Sequence, residues 1–405
     1  MEKLYEGIKI LDLTSNIAGP IASSMMADFG AEVIKVERPV SGEDTRMVLP
    51  QVEGFAFTSW WLNRGKKSIT VNMRDPEGIK FLKKMIPHMD IIMESFRPGT
   101  MASMGLSYEE VKILNPSIIY VSISMFGQTG KDSMKPGYDL LAQARSGLLD
   151  ITGEKGGIPI KSGFYISDYC ASTFVYGGMA SALYYKEKTG KGQLLDISLL
   201  DAIFSYNSNF EMGALNMFPT RVGNHAPHLA PYGVFEGSNH EYVAIVAAYI
   251  SNWTKLCNLM GRPELITEEA FSTPAKRVQN LQGVVDAIES WLKTFPDIRE
   301  PARFMDEADI PCSLIYNTKD IRSDEHLLSR GMIVDFESPT GVKSIDSVKA
   351  RGVVIKMSET PGSISKCPMI GEHNNEIMLR YGLSKEKIKE LQGKWTEEYY
   401  NKKNK

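Results

Sequence analysis

Apolar runs of strand length alternate with amphipathic stretches of helix length from Ile8 to Ser124. Ile8 to Leu13 reads as a buried strand, Pro20 to Phe29 as a helix rich in alanine and methionine, and Glu32 to Glu37 as a second strand. This is a βαβ unit, in which a helix crosses back so that the two strands run parallel. The alternation continues through Ser68 to Asn72, a helix opened by Asp75 and Pro76, Asp90 to Glu94, a helix from Tyr108 to Ile113, and Ile118 to Ser124. A mostly parallel sheet flanked by helices follows. Gly163 to Ser167 reads as a further strand-like run, ending where a helix rich in small residues begins at Asp168 and extends to about Lys186. Gly190 to Leu200 reads as a turn into another buried strand. From about 206 the pattern changes, with a polar turn at Gly237 to His240, a strand after it, and helices from Trp253 to Met260 and Gly283 to Thr294. After 325 mixed strands and helices resume, including a strand from Arg351 to Ile355. The fold expected is α/β: a Rossmann-like parallel sheet in a large domain over 1–205, a smaller α+β domain over 206–324, and a return to the large domain over 325–405.

The first βαβ unit and Glu37 resemble the opening of a dinucleotide-binding fold, where an acidic residue about 20 positions on binds the ribose. The turn after the first strand, Thr14-Ser-Asn-Ile-Ala-Gly-Pro20, has one glycine and a proline, so the glycine cradle for a pyrophosphate is missing, which argues against NAD binding. A net charge of -3 leaves no global basic field for nucleic acid or an anionic membrane. Cys170, Cys257, Cys312 and Cys367 are scattered without a Cys-x-x-Cys pair, which argues against a zinc site or a disulfide framework and for a reducing cytoplasm. The N-terminus shows no signal pattern, and apolar runs such as Tyr242 to Ile250 fall short of the ~20 residues of a membrane span.

Asp168 is the chemically telling residue. A carboxylate between a strand end and a helix start suits a nucleophile at the mouth of an α/β sheet. It equally suits a helix N-cap that accepts the second or third free amide of the helix. Local sequence leaves both readings open.

Asn16-Ile-Ala-Gly-Pro20, Phe29 to Pro39, Asn63-Arg-Gly-Lys-Lys-Ser68, Glu94 to Gly99, Met104-Gly-Leu106, Phe126 to Gly130, Gly137-Tyr-Asp139, Thr189 to Gln193 and Ala230-Pro-Tyr232 together resemble class III CoA-transferases. Ile310-Pro-Cys312, Ser358 to Gly362 and Gly371-Glu-His373 extend the resemblance along the chain. The resemblance implies that Asp168 is the nucleophile, passing an acyl group and then CoA through an aspartyl anhydride and an aspartyl-CoA thioester. An ordinary carboxylate pKa of ~3.9 would leave it ionised at neutral pH without a general base, with amides at the helix start as oxyanion donors. No cofactor would be held permanently; CoA and acyl-CoA would enter as substrates alongside a carboxylic acid. The family pattern assigns CoA contacts to Ile17, Ala18, Arg38, Val71, Asn72, Met73, Arg74, Ser95, Phe96, Arg97, Tyr138 and Asp139. The arginines suit phosphate oxygens and adenine faces. The pattern departs at Ser103 and Pro136, where other members carry basic residues. The family also implies an intertwined homodimer.

Relatives using formyl-CoA or oxalate carry glutamine where this chain has Ile17 and a glycine-rich loop where it has Ala247-Ala-Tyr-Ile250, so a bulkier, partly apolar acid is expected. The resemblance favours a 2-hydroxy acid of amino-acid fermentation, with 2-hydroxyisocaproate as the leading example and carnitine as an alternative. A 2-methylacyl-CoA racemase on the same fold would need a histidine near Gly137-Tyr-Asp139, and no histidine lies between His88 and His225. His225 and His228 lack an evident third metal ligand, so no metal site is expected. Met85, Met89 and Met93 read as core.

Overall fold

The computed structural model describes residues 3–403. The chain forms two compact units. One runs up to Gly147, resumes over Ser162–Ser208 and again from Glu325 onward; the other comprises Leu148–Lys161 and Asn209–Asp324.

In the first unit the chain lays down β1 (Lys9–Asp12), α1 (Ala18–Asp28), β2 (Glu32–Glu37), β3 (Lys67–Thr70), α2 (Pro76–Met85), β4 (Ile91–Glu94), α3 (Tyr108–Leu114), β5 (Ile119–Ser124), α4 (Asp139–Arg145), α5 (Ile166–Thr189) and β6 (Leu194–Ser198). The six strands form one parallel sheet in the order 3-2-1-4-5-6, with Leu11 of β1 opposite Ile34 of β2 and Ile92 of β4. Helices cover both faces, so the strands read as continuous apolar runs rather than alternating ones; Ile10, Leu11, Ile34, Ile69, Ile91 and Val121 are fully buried. The Asp75 side chain accepts the Glu77 amide and Pro76 opens α2, as the sequence indicates. Met85, Met89 and Met93 lie in the core.

The strand order matters for function. It reverses between β1 and β4, and in open parallel sheets ligands bind at the carboxyl ends of strands at such a switch point. The β1–α1 turn and the segment after β4 flank that crevice.

The expected strand before Asp168 is absent: Phe164 and Tyr165 are exposed, and α5 starts at Ile166. An apolar run beside a helix start need not be a strand when no sheet edge receives it. The helix ends at Gly190, whose φ of 70° and amide bond to Lys186 O at 2.7 Å supply a left-handed cap. The strand expected over Arg351 to Ile355 instead ends at Arg351, as Ser347–Arg351 pairs antiparallel with Ile333–Glu337.

The second unit is built on a three-stranded antiparallel sheet, with Tyr242–Val246 between Tyr232–Glu236 and Cys312–Leu314. Phe235, Val243, Trp253, Leu256, Ile288 and Met305 form its core with helices Ile250–Leu259, Leu281–Leu292 and Arg299–Glu307. Leu148–Lys161, read from sequence as part of the large domain, packs with this unit: the Arg221 guanidinium donates to Gly157 O (3.0 Å) and Asp150 O (2.8 Å) and pairs with the Asp150 carboxylate (2.8 Å). Among the described residues no helix is long and apolar enough to cross a membrane.

Candidate active site

The chain leaves β1 at Asp12 and turns through Leu13 to Ile17 before α1. Asn16 adopts a φ of 67°, in the left-handed region that asparagine tolerates better than most residues. Gly19 lies so close to Thr14 that a Cβ there would fall 2.4 Å from the Thr14 Cβ. The Ser15 amide donates to Ser95 Oγ at 2.9 Å, tying this turn to the segment after β4.

Asp168 is the third residue of α5, and its carboxylate is buried. It is not the N-cap. That position belongs to Tyr165, which makes no side-chain cap, and the helix start is capped from elsewhere. Asp139, the first residue of α4, accepts the Ser167 amide at 2.8 Å and the Ser167 hydroxyl at 2.7 Å on one oxygen, and Gln143 Nε2 at 2.6 Å on the other. A second buried carboxylate therefore performs the capping duty that sequence left open for Asp168.

This arrangement changes the expected ionisation. Burial first, and then the Asp139 charge, push the Asp168 carboxyl up to about 7, while a hydrogen bond from the Ala18 amide acts in the opposite direction. Asp168 is thus poised near neutrality rather than fully ionised, and a more basic carboxylate is a stronger nucleophile once deprotonated. The oxyanion donors also differ from expectation. The Ile166, Ser167 and Tyr169 amides are committed to Phe164 O, the Asp139 carboxylate and Tyr165 O. The amide aimed at Asp168 is that of Ala18, from the β1–α1 turn.

Replacing Asp139 by asparagine keeps an acceptor for Ser167 but removes the neighbouring charge. The pH midpoint for ionisation of Asp168, read from the pH dependence of acyl-adduct formation, is expected to fall by about half a unit to one unit.

The other expected CoA contacts are spread along the carboxyl edge of the sheet. The Ala18 amide bonds to Asp168, Ile17 precedes it in the chain, and Ser95 is bonded to the same turn. Phe96 is half-buried, packs against the core and donates its amide to Glu94 Oε2 at 2.8 Å. Arg38 is exposed, donates to Gly42 O at 2.9 Å and pairs with Asp44, which in turn accepts the Ser15 hydroxyl at 3.0 Å. Tyr138 is exposed beside Asp139. Val71, Asn72, Met73 and Arg74 lie beyond the outer strand β3. Val71 is buried, Met73 packs on the core, and the Asn72 amide group donates to Glu398 at 2.8 Å. Arg74 and Arg97 are exposed and, among the described residues, pair with no carboxylate.

Glu37, the ribose-ligand lookalike, is fully committed: Arg46 grips both oxygens at 2.7 and 3.0 Å and Ser68 donates at 2.6 Å. Among the described residues no group of three His, Cys, Asp or Glu side chains is placed to hold a metal. His225 packs edge-on against Phe235, with ring centres 5.0 Å apart.

Sequence reading missed a buried polar network beneath the turn. Asp12 accepts from Lys35 (3.3 Å), Lys66 (3.0 Å), the Thr14 amide (2.9 Å) and Ser23 (2.7 Å). Lys66 also reaches Pro20 O at 2.9 Å and Asn63 Oδ1 at 3.0 Å, and Asn63 donates to Glu43 at 3.1 Å. The available signal was polar residues inside otherwise apolar strands, Asp12 in β1 and Lys35 in β2.

Residues 5–374 match the family described as CoA-transferase family III. Over 96% of its length the chain is 34% identical to the succinyl-CoA--D-citramalate CoA-transferase of Chloroflexus aurantiacus, covering 97% of that protein. It is likewise 34% identical to the human succinyl-CoA:glutarate CoA-transferase, over 94% of this chain and 87% of that one. A crystal structure of a CAIB/BAIF family protein from Brucella suis superimposes with a TM-score of 0.84 at 32% identity, covering 94% of this chain and 100% of the other.

Proposed function

Because this chain belongs to CoA-transferase family III, we propose that Asp168 carries CoA from a short acyl-CoA, with a succinyl-type donor as the first expectation, to a 2-hydroxy acid. The observation that carries this reading is the buried carboxylate of Asp168, facing the Ala18 amide at the switch point of a parallel sheet.

The steps balance without ATP or net proton transfer. The Asp168 carboxylate attacks the thioester carbonyl carbon, the C–S bond breaks, and CoA leaves as thiolate from a mixed anhydride. The thiolate then attacks the Asp168 carbonyl carbon; the donor leaves as a free carboxylate and an aspartyl-CoA thioester remains. The acceptor carboxylate displaces the thiolate to form a second anhydride. Attack of the thiolate on the acceptor's carbonyl yields the new acyl-CoA and free Asp168. In the two attacks on the Asp168 carbonyl, an amide at the position of Ala18 stabilises the oxyanion that develops there. Asp139 makes the Asp168 carboxylate more basic, and so more nucleophilic once ionised, and orders the start of α5.

CoA enters as substrate, with Arg38, Arg74 and Arg97 as the groups proposed for its phosphates and adenine, and Ser95, Phe96 and Tyr138 beside its path. The relatives' acids, citramalate and glutarate, share a second carboxylate and citramalate adds a 2-hydroxyl, while Ile17 beside Ala18 favours an apolar branch. 2-Hydroxyisocaproate has the branch without the second carboxylate. A homodimer is part of this proposal, supported by the exposed aromatics Phe164, Tyr165, Phe174, Tyr184 and Tyr185 on and beside α5. The four free cysteines suit a reducing compartment.

The test is intact-mass and peptide mass spectrometry with succinyl-, glutaryl- and 2-hydroxyisocaproyl-CoA, trapping with hydroxylamine. The expected result is an adduct confined to Asp168, formed at least ~10-fold faster by one donor. The absence of an adduct with every donor, together with α-proton exchange into deuterated water, would replace CoA transfer by racemase chemistry.

A further inference from the structure

The turn that leads into the amide of Ala18, the first residue of α1, has no regular structure of its own, yet it and the helix start are tied down along their length. Lys35 Nζ donates to Thr14 O, the Ser15 amide to Ser95 Oγ at 2.9 Å, and Lys66 Nζ to Pro20 O at 2.9 Å. At its centre Asn16 holds a φ of 67° and donates its amide to Glu43 Oε2 at 3.3 Å. That same oxygen accepts the Thr45 amide at 3.1 Å. The other oxygen accepts the Thr45 hydroxyl and Asn63 Nδ2, the latter at 3.1 Å.

Glu43 is 4% exposed, and all of these donors are neutral. Burying a carboxylate is costly, and neutral donors offset this less than an ion pair does. What an acceptor-only group with two oxygens provides is convergence, since it gathers donors from the turn, from Thr45 and from Asn63 at one point.

We propose that Glu43 is a positioning residue for CoA transfer: it fixes the Ser15–Asn16 segment so that the Ala18 amide, two residues further on, stays aimed at the Asp168 carboxylate. This rests on Asp168 being the nucleophile. Glu43 touches neither Asp168 nor the reacting atoms; its effect passes through the backbone of the turn.

The sign of a pH shift separates this role from simple electrostatics. The charge acting on Asp168 is that of Asp139, and the Ala18 amide is the group that lowers its pKa. Around Glu43 the charged and titratable groups are Lys66 and Arg46, whose cationic forms it favours, Glu37, which accepts the Glu43 amide at 3.1 Å, the Cys367 thiol, and Asp44, its neighbour in the chain. Neutralising Glu43 through direct charge would make Asp168 easier to ionise. Loosening the turn would weaken the Ala18 hydrogen bond and make it harder.

The experiment measures single-turnover acyl-adduct formation on Asp168 against pH for full-length wild type and Glu43→Gln, with thermal melting and the KM for acyl-CoA in parallel. The expected result is a midpoint raised by about half a unit to one unit, a rate at saturation reduced about tenfold, and an unchanged KM. A midpoint that stays put or moves down, or a uniform loss that follows thermal stability, overturns the proposal. If Glu43→Gln does not fold, Asn16→Gly loosens the same turn without disturbing the buried carboxylate, and its midpoint must shift upward by a smaller amount for the proposal to stand. No adduct in the wild type would sink the nucleophile reading itself, a distinct failure.

Discussion

Replacing Asp168 by asparagine is expected to reduce CoA transfer by at least ~10⁴-fold while making the folded chain more stable above neutral pH. The loss follows from chemistry: an amide cannot form the anhydride, and no other carboxylate shares its relation to the Ala18 amide. The gain follows from linkage. The Asp168 carboxyl is raised from 3.8 to about 7 in the folded state, by burial first and by Asp139 second. The folded chain therefore binds its proton more tightly than the unfolded chain does. This favours folding below the unfolded pKa, and the contribution is lost progressively as pH rises through about 7. A shift of that size corresponds to a cost on the order of 4 kcal/mol when the group is ionised in both states. Asparagine keeps the shape and an acceptor for Ala18 but has no such cost. Urea unfolding of wild type and Asp168→Asn at pH 8 and pH 4 is expected to show the mutant ahead by a few kcal/mol at pH 8 and level near pH 4. Equal stabilities at both pH values would mean that Asp168 is not held in a destabilising environment, and the poised nucleophile would lose its physical basis.

Much of the sheet was legible because its strands are buried on both faces. Predominantly apolar runs such as Ile8 to Leu13 and Ile118 to Ser124 point to strands, and the structure narrows them to Lys9–Asp12 and Ile119–Ser124. The second unit's excursion over 148–161 was not legible, since its association depends on Arg221 reaching backbone carbonyls about 70 residues away, which no local pattern encodes. The identity of the nucleophile was visible, but its environment was not. Local sequence offered Asp168 as its own cap, whereas the cap comes from Asp139, 28 residues before the Ser167 whose amide it accepts. Nor could sequence show that Arg38 is engaged by Asp44, or that Glu43 gathers the turn, because such roles arise only when the β1–α1 turn and the residues after β2 meet above the sheet.

Asp12→Ala is expected to cause the largest loss of stability of any single change at the base of the site, about 3–5 kcal/mol in urea unfolding near pH 7. Asp12, Lys35 and Lys66 have fully buried side chains, and the one carboxylate serves two ammonium groups. Burial opposes ionisation of Asp12, but the two lysines outweigh it and hold its carboxyl well below the usual range. Lys66 is already strained in the opposite sense, since burial draws its pKa down to about 8 despite Asp12. Removing Asp12 leaves both cations with neutral acceptors: Thr14 O for Lys35, and Pro20 O and Asn63 Oδ1 for Lys66. A lysine whose folded pKa lies below its unfolded value destabilises the fold most at pH below the folded pKa, where it must remain charged, and the deficit shrinks as pH rises past it. Without Asp12 the folded pKa of Lys66 falls further, so the mutant's deficit is expected to ease as pH rises toward about 8, and to shrink again below the ordinary carboxylate range, where the wild type loses the contribution of its depressed Asp12 carboxyl. Adding Lys66→Met should then recover at least ~1 kcal/mol, because an apolar side chain of similar length removes one of the two unpaired buried charges. If Asp12→Ala costs less than ~1 kcal/mol and shows no pH trend, water must reach the two ammonium groups, and the dry base on which the β1–α1 turn is set would not exist.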